Sequence, residues 1–307
     1  MASILISGGT GLIGSALTRY LVEKGHQVIV LTRRRQPPSS AGAVRYAQWN
    51  PAEKTIEDWA IAEADHLIHL AGANVGEKRW TSRRKKEIRD SRVRSGELLC
   101  EVVARIPNRI RSVVSASAIG WYGPDATVPA ANAFLETDPA FDDYLGETCR
   151  AWEASLLPME ALGKRLVVLR TGIVLSAEGG ALAEFRKPLR FGLATIMSSG
   201  RQMVSWIHIN DLVRLYDTVA FDESYAGVYN AVAPHPVSNK ELVLTLARRL
   251  RGRAFIPVHV PGFVLKIVLG EMSIEVLKSC TVSSAKLGRA GFQFAYPEIE
   301  AALRSIQ

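Results

Sequence analysis

Three glycines near the start of the chain have a spacing that can bring the backbone close to phosphate groups. They lie in the run Gly8-Gly9-Thr10-Gly11-Leu12-Ile13-Gly14, between a short apolar stretch and residues with helical apolar spacing. Gly8 would allow a tight bend, Gly11 a close approach of backbone to a pyrophosphate, and Gly14 close packing of helix on strand. The free N–H groups of the helix N-terminus would then face the phosphates. We therefore predict a dinucleotide site whose contact residues are Gly8, Thr10, Gly11, Leu12, Ile13 and Gly14.

Basic residues after the second predicted strand indicate which dinucleotide binds. That strand, residues 26–31, leads into Thr32-Arg33-Arg34-Arg35. NAD-binding sites place an Asp or Glu here to bond the ribose hydroxyls. A carboxylate would repel a 2′-phosphate, whereas a guanidinium binds it through two hydrogen bonds. We predict that NADPH is preferred over NADH, with Arg33 as the first choice for the contact and Arg34 also assigned to the site. One or two of the three arginines are expected only to face solvent.

A parallel sheet is needed to position these residues, and the pattern along the chain predicts one. Residues 3–6 are predicted as a buried strand, 12–23 as a helix and 26–31 as a second strand, a unit that requires parallel strands. Further strands and helices alternate over residues 65–70, 81–104, 111–115, 144–162 and 165–169. Repeated strand–helix units predict an α/β fold, a Rossmann-type doubly wound parallel sheet with helices on both faces.

The regular alternation ends after Thr171. We assign residues 1–172 to an NADP-binding Rossmann domain and residues 173–307 to a smaller α/β substrate lobe over the carboxyl edge of the sheet. The chain is expected to cross between the two lobes more than once. From residue 257 onwards the sequence is expected to be mostly helical.

Composition limits the classes of protein and partner. The chain has 307 residues, 48% hydrophobic and 22% charged, which is typical of a globular protein. The net charge of +8 suits an anionic small molecule, and no nucleic-acid-binding signature is present. The three cysteines are widely spaced, so no metal site is expected. A strand beginning at residue 3 leaves no room for a signal peptide, and the apolar stretch 261–269 is too short to span a bilayer, so we expect a cytoplasmic protein without membrane contact.

The densest run of basic residues is one segment, residues 79–94. This run includes Arg83, Arg84, Lys85, Lys86, Arg89, Arg92 and Arg94. Because apolar residues are sparse there, the run predicts an exposed helix face. Direct contact of some of these cations with an anion is the alternative.

A set of short motifs extends along nearly the whole chain. The motifs are Ser7 to Gly14, Leu70-Ala71-Gly72-Ala73-Asn74, Arg79-Trp80, Ser91-Arg92-Val93, Ser117 to Gly123, Trp152-Glu153, Arg170-Thr171-Gly172 and Trp206 to Leu212. Together they resemble the extended short-chain dehydrogenases/reductases, and more narrowly an atypical epimerase family with a characteristic C-terminal segment. The resemblance implies an NAD(P)-dependent, epimerase/dehydratase-like protein. It also adds Leu70, Ala71 and Gly72 to the expected cofactor site.

The resemblance further implies catalysis by a Ser, a Tyr and a Lys four residues after the Tyr. Ser117 matches the Ser, and Tyr144 falls where the Tyr is expected. The Lys position holds the uncharged Thr148, and Arg150 would point about 200° away around the helix. Without that charge a tyrosine keeps a pKa of about 10 and is a weak base at neutral pH, although it can donate a proton. Reduction is therefore favoured over oxidation or epimerisation, and the alternative is that Tyr144 only shields the nicotinamide.

Four more side chains are assigned to a substrate pocket: Trp80, Tyr122, Arg170 and His208. The alternative for Trp80 is ordinary packing, and for Tyr122 it is the structural role that the resemblance implies. Arg170 follows a buried strand, so its charge requires a partner, either the substrate or a structural carboxylate. His208 precedes Asp211, which is expected to cap the next helix. A buried structural histidine is the alternative for His208.

Two functions are compatible with these residues. The first is an NADPH-dependent oxidoreductase, or an epimerase, that acts on a small or nucleotide-linked carbonyl or hydroxyl compound. The second is a non-catalytic NADP(H)-binding protein that senses redox state or serves as an interaction partner. Ser117 and Tyr144 favour the first, and Thr148 in place of a lysine favours the second. Either form is expected as a monomer or a homodimer.

Overall fold

A large mixed sheet lies at the centre of the computed structural model, which describes residues 1–34 and 42–306. The strands of the described residues are β1 (Ser3–Ser7), β2 (Gln27–Thr32), β3 (Val44–Asn50), β4 (Thr55–Ile56), β5 (His66–His69), β6 (Ser112–Ala118), β7 (Arg165–Thr171), β8 (Ile173–Leu175), β9 (Leu193–Met197), β10 (Met203–Val204), β11 (Trp206–His208), β12 (Gly227–Ala231), β13 (Val237–Ser238) and β14 (Ile256–Val260). Eight of them form the central sheet in the order β12-β7-β6-β5-β1-β2-β3-β4. All pairs in it are parallel except β3 with the short edge strand β4.

Helices cover both faces of this sheet. They are α1 (Leu12–Glu23), α2 (Asp58–Ala62), α3 (Ser82–Arg105), α4 (Tyr144–Ala154), α5 (Pro158–Ala161), α6 (Ala181–Leu189), α7 (Ile209–Phe221), α8 (Asn239–Arg251), α9 (Gly262–Leu269), α10 (Ser273–Leu277), α11 (Ala285–Arg289) and α12 (Ile299–Ser305). Alternate residues of β1 point to opposite faces: Ile4 packs in a core with α1 and α7, and Leu5 packs in a second core with α3. The Rossmann-type, doubly wound α/β fold expected from the sequence is confirmed.

The strand order places a topological switch point at β1. From β1 the chain continues to β2 and β3 on one side, and then to β5, β6 and β7 on the other. Ligands of such sheets bind at the carboxyl ends of the strands beside the switch point. The carboxyl ends of β1, β2, β5 and β6 are therefore the part of the fold that positions the site.

Beyond residue 172 the chain alternates between the main sheet and a smaller layer. Strands β8–β11, β13 and β14 form two-stranded sheets in the described part of the chain, around a third core that contains Trp206 and Leu242. The chain returns to the main sheet through α7 and β12, and β12 pairs with β7. Residues 209–231 thus pack on the dinucleotide-binding core although they follow the smaller strands in sequence.

Several local predictions need correction. The strand β3 was not expected, because near the edge of the sheet only Ala47 and Trp49 of its residues are buried and polar residues interrupt the apolar pattern. The single helix expected over 144–162 is divided into α4 and α5 at Ser155 to Leu157, with Pro158 at the first position of α5. The C-terminal part begins with the strand β14, which pairs with β9, before the expected helices.

Candidate functional site

The glycine turn has the backbone geometry that the sequence predicted for it. Gly8 has a φ of 75°, in the left-handed region that favours glycine. The N–H of Gly11 donates to the carbonyl oxygen of Gly8 at 3.0 Å. A Cβ on Gly14 would lie 2.2 Å from the same oxygen, so only glycine lets α1 approach the turn this closely. Around Gly11, by contrast, the nearest protein atom to an added Cβ would be the Gly8 carbonyl oxygen at 3.4 Å, an ordinary van der Waals contact, so the protein itself does not require glycine here.

The end of β5 forms a wall against this turn. The N–H of Leu70 donates to the carbonyl of Ser7 at 3.0 Å. A Cβ on Gly8 would lie 2.8 Å from the carbonyl carbon of Leu70 and 2.9 Å from the nitrogen of Ala71. The Leu12 side chain reaches the loop before α6, where an added Cβ on Gly180 would lie 3.0 Å from it. The fold therefore brings the two predicted cofactor segments, residues 8–14 and 70–72, into contact.

The N-terminus of α1 is available to bind phosphate oxygens. The helix begins at Leu12 after Gly11, and no side chain caps its first turn. Backbone N–H groups that no side chain caps are suited to bind a pyrophosphate. The cradle at Gly8 and Gly14, the side chain-free backbone at Gly11 and these N–H groups together fit a dinucleotide.

The arginines after β2 lie at the same edge of the sheet. Ser7 of β1 is in register with Leu31 of β2, so the residues that follow both strands are neighbours. Arg33 and Arg34 are exposed, and neither forms an ion pair with a carboxylate within residues 1–34 and 42–306. Arg35, the third arginine of the run, lies outside the described residues. Two exposed guanidinium groups are therefore available beside the adenosine end of the predicted site.

A chain of buried hydrogen bonds begins at Ser7, the residue directly before the glycine turn. The Ser7 hydroxyl lies 2.6 Å from Nδ1 of His69, and the Ser95 hydroxyl lies 3.2 Å from Nε2 of the same ring. Burial, with the nearby charge of Arg92, lowers the pKa of His69 to about 3, so the ring is neutral. This histidine links β1, β5 and α3 and was not singled out by the sequence.

Two of the predicted site residues, Tyr144 and Trp80, are brought together by α4 and the loop before α3. Their ring centroids are 5.2 Å apart, with an edge-to-face arrangement. The Tyr144 hydroxyl donates to the backbone carbonyl of Lys85 at 2.9 Å, and the Trp80 indole donates to the carbonyl of Val75 at 2.9 Å. Burial raises the pKa of Tyr144. The hydroxyl is therefore protonated at neutral pH, which suits a proton donor and not a base.

Thr148 and Ser117 both bind protein groups near Tyr144. The Thr148 hydroxyl donates back to the Tyr144 carbonyl at 2.7 Å. The Ser117 hydroxyl is buried and donates to the carboxylate of Glu153 at 2.6 Å. Burial raises the pKa of the neighbouring Cys149 thiol to about 12, so this cysteine is an unreactive thiol in the core.

Arg170 has a structural carboxylate as its partner. Its Nε and one terminal nitrogen donate to the two carboxylate oxygens of Glu153 at 2.9 and 3.0 Å. Its other terminal nitrogen donates to the Tyr122 hydroxyl at 3.1 Å, and that hydroxyl donates to Asn230 at 2.6 Å. Arg170 and Tyr122 are 2% and 0% exposed. A substrate cannot reach either side chain in this conformation, so we do not carry their predicted substrate roles forward.

His208 is likewise buried with protein partners, which favours the structural alternative. Its Nδ1 accepts the N–H of Asn210 at 3.1 Å, so His208 itself caps α7. Burial lowers the pKa of the ring to about 4. The predicted cap, Asp211, lies inside the first turn and accepts the N–H groups of Ala295 and Tyr296 at 2.8 and 2.9 Å. The helix therefore begins earlier than expected, and Asp211 holds the C-terminal segment instead of the helix end.

The basic helix α3 is not a uniformly exposed face. Arg84 is buried and pairs with Glu77 and Glu87. Arg92 is partly buried, and its guanidinium carbon would lie 3.0 Å from a Cβ placed on Gly72. The sequence indicated direct anion contact as the alternative for part of this run, and Arg92 is the member that points to the predicted cofactor wall.

The C-terminal segment packs beside this part of the site. Arg79 donates to the carbonyl of Ile267 at 3.1 Å, and Lys85 pairs with Glu271 at 2.7 Å. Lys278, whose side chain is buried, donates to the carbonyl of Tyr122 at 3.1 Å. The segment from α9 to Cys280, which forms an isolated β-bridge with Val204, thus borders the region around Tyr144.

The fold and the glycine cradle define a dinucleotide-binding protein of the Rossmann class. Residues 4–231 match the sequence profile of the NAD dependent epimerase/dehydratase family, and residues 260–306 match a domain of unknown function, DUF1731. The chain belongs to the NAD-dependent epimerase/dehydratase family, as an extended short-chain dehydrogenase/reductase with this additional C-terminal segment. The resemblance stated from the motifs is therefore confirmed.

Similar proteins cover the chain over nearly its full length. An epimerase family protein of Staphylococcus saprophyticus is 36% identical over 100% of this chain and 99% of its own length. One of Mycobacterium leprae is 34% identical over 98% of this chain and 94% of its own. The crystal structure of human epimerase family protein SDR39U1 (isoform 2) with NADPH superposes with a TM-score of 0.86, at 31% identity, over 99% of this chain and 98% of that one.

No helix among the described residues is both long and apolar enough to cross a membrane.

Proposed function

We propose that this protein binds NADPH in preference to NADH and uses it to reduce a small or nucleotide-linked carbonyl compound. The observation that carries the proposal is the glycine cradle at the carboxyl end of β1 with two exposed arginines at the adjoining end of β2. The similarity to SDR39U1, whose structure contains NADPH, supports the same cofactor. The family to which the chain belongs supports an epimerase-like enzyme, and the reductive direction and the substrate class are our proposal.

Different groups of the protein would bind different parts of NADPH. The N–H groups at the start of α1 would bind the pyrophosphate, and Arg33 and Arg34 would bind the 2′-phosphate. The segment Leu70 to Gly72 would lie along the nicotinamide half. When bound, NADPH would supply a hydride from its nicotinamide ring, and the Tyr144 hydroxyl, which burial keeps protonated, would serve as the proton donor.

Gly11, where an added Cβ would meet the protein only at ordinary van der Waals distance, allows a direct test of cofactor binding. We expect Gly11→Ala to weaken NADPH binding about 30-fold, or about 2 kcal/mol, because the new methyl group would occupy the approach of the pyrophosphate. The fold should tolerate the change, since the nearest protein atom is 3.4 Å from the added Cβ and the backbone of Gly11 has an ordinary extended conformation. A fluorescence titration with NADPH measures the effect.

Gly288→Ala is the matched control for this substitution. Gly288 lies in α11, and an added Cβ there would meet nothing within 4 Å. We expect it to leave the NADPH affinity unchanged and the melting temperature equal or slightly higher, because alanine favours a helix more than glycine does. Full NADPH affinity in Gly11→Ala would contradict the placement of the pyrophosphate on this turn.

The arginines after β2 predict the preference between the two cofactors. We expect NADPH to bind at least about tenfold more tightly than NADH, and Arg33→Glu to abolish that preference, because a carboxylate repels the 2′-phosphate and can accept the ribose hydroxyls. Direct titration of both dinucleotides into both proteins measures this. Arg105→Glu, an equally exposed change at the far end of α3, should leave the ratio unaltered. Equal affinities of the unmodified protein for NADPH and NADH would refute the assignment.

A second candidate function is a non-catalytic NADP(H)-binding protein that acts as a redox sensor or an interaction partner. The specific observation in its favour is that the Tyr144 and Ser117 hydroxyls both donate to protein groups and that Thr148 stands where a lysine is expected. Oxidation of NADPH with a panel of quinones, aldehydes and nucleotide sugars separates the two functions. Tight binding without turnover of any of them would favour the second.

A further inference from the structure

Arg92 connects α3 to the loop that follows β5. One of its terminal nitrogens donates to the carbonyl of Ala73 at 3.0 Å and to the carbonyl of Ile88 at 2.9 Å. The preceding residue, Ser91, accepts the N–H of Ala73 at 2.9 Å. The guanidinium also lies directly against Gly72, where an added Cβ would be 3.0 Å from its central carbon. The helix thus fixes the loop and places a positive charge on it.

The charge of Arg92 is not balanced by a carboxylate of the described residues. Its hydrogen bonds within them go to backbone carbonyls through one nitrogen, which leaves Nε and the other terminal nitrogen without a protein acceptor there. Burial lowers the pKa of this arginine, a sign of the cost of holding the charge away from water. A partly buried cation with unused donors is suited to an oxygen-rich ligand.

Arg92 faces the same side of α4 as Tyr144. Residues 144, 148 and 152 are four apart and therefore lie along one face of this helix. The guanidinium lies 4.9 Å from the centre of the Trp152 ring, and its charge opposes the rise in the pKa of Tyr144 that burial causes. Since Thr148 is short and binds back to its own helix, the positive charge beside this face comes from α3.

The strand order indicates which half of the dinucleotide would meet this cation. Arg33 lies after β2, the glycine turn follows β1, and Gly72 follows β5, on the far side of β1 from β2. If the 2′-phosphate binds at β2 and the pyrophosphate at β1, the nicotinamide half extends over β5 and β6. Arg92 therefore lies on the nicotinamide side.

We infer that Arg92 binds the ribose oxygen atoms of the nicotinamide half of NADPH and holds its charge beside the Tyr144 hydroxyl. It is a cofactor-binding residue supplied by α3, on a helix different from the one that carries Tyr144. The inference rests on the proposed NADP(H) function. It assigns a role to one arginine of the basic run 79–94, in which Arg83, Lys86, Arg89 and Arg94 are exposed.

Two ligands separate this role from a general effect on folding. We expect Arg92→Gln to weaken NADPH binding about tenfold or more, because a charge-assisted contact is lost. Binding of adenosine 2′,5′-bisphosphate, which lacks the nicotinamide half, should not change. Arg92→Lys keeps the charge and should restore part of the NADPH affinity. Arg89→Gln, one turn earlier on the exposed face of α3, is the matched control and should leave both affinities unchanged.

Each other outcome has a distinct meaning. Unchanged NADPH affinity in Arg92→Gln, or an equal loss for both ligands, would overturn the inference while leaving the NADPH site in place. If Arg92→Gln does not fold, Arg92→Lys decides: equal affinity changes for both ligands overturn the inference, and a loss confined to NADPH supports it. Absence of NADPH binding by the unmodified protein would instead overturn the proposed function itself.

Discussion

Tyr144→Phe is expected to lower NADPH-dependent turnover of a carbonyl substrate by about 100-fold to 10,000-fold, the range that a positioned proton donor contributes. The reduced carbonyl oxygen requires a proton, and burial keeps the Tyr144 hydroxyl protonated at neutral pH. The hydroxyl donates to the Lys85 carbonyl in the structure, so it must leave that acceptor when a substrate oxygen binds. NADPH consumption with each compound of the carbonyl panel measures the effect.

The substitution should remove little besides the hydroxyl. Phenylalanine keeps the edge-to-face contact with Trp80, whose ring centroid is 5.2 Å away, and NADPH affinity should therefore persist. Tyr20→Phe is the matched control, because its hydroxyl bonds only weakly, to Asp217 at 3.4 Å between α1 and α7. Turnover that survives in Tyr144→Phe would exclude Tyr144 as the proton donor. It would leave the cofactor site, which depends on other residues, unaffected.

Glu153→Gln is expected to reduce the free energy of unfolding by about 3 to 5 kcal/mol, the usual effect of removing one partner of a buried ion pair. The Arg170 side chain is 3% exposed and the Glu153 side chain 11%, so little water would replace the lost charge. The same carboxylate accepts the Ser117 hydroxyl, which would lose a charged acceptor. Since native domains are stable by about 5 to 15 kcal/mol, the change removes a large share of the total. Urea denaturation measures it.

Glu147→Gln on the same helix provides the control. Glu147 pairs with Arg150, and both side chains are about half exposed, so its loss should cost at most about 1 kcal/mol. The double variant Glu153→Met with Arg170→Met should be less unstable than the sum of the two single changes, because neither charge is left buried alone. Equal destabilisation by Glu147→Gln and Glu153→Gln would contradict the structural role assigned to the pair.

The parts of the site that the sequence predicted share one property, a short separation along the chain. The glycine turn is formed by seven consecutive residues whose φ angles, close contacts and helix start depend mainly on one another. The repeated strand and helix patterns similarly predicted the parallel sheet, because each buried strand has to be covered on both faces. The missed strand β3 lies near the sheet edge, where one-sided burial weakens the apolar signal.

The assignments that the sequence left open concern residues whose partners are distant in sequence. Arg170 was expected to bind either the substrate or a structural carboxylate, and Tyr122 was assigned to a substrate pocket, because the sequence does not reveal that Glu153, Asn230 and the Glu136 carbonyl converge on them. Arg92 was grouped with an exposed helix face, with direct anion contact as the alternative for part of the run, because apolar residues are sparse there. Only the packing of α3 against the loop after β5 turns it inward.

The sequence by itself determined the class of fold and the location of the dinucleotide cradle, since glycine spacing and apolar periodicity act over a few neighbouring residues. It also determined the chemistry of the residues after β2, because a strand end followed by arginines needs no distant partner to define its charge. The tertiary structure decided which polar side chains remain available and which are neutralised. A buried charge or hydroxyl is costly unless it is paired or hydrogen-bonded. Which partner lies within reach depends on the packing of helices and strands that are far apart in the chain.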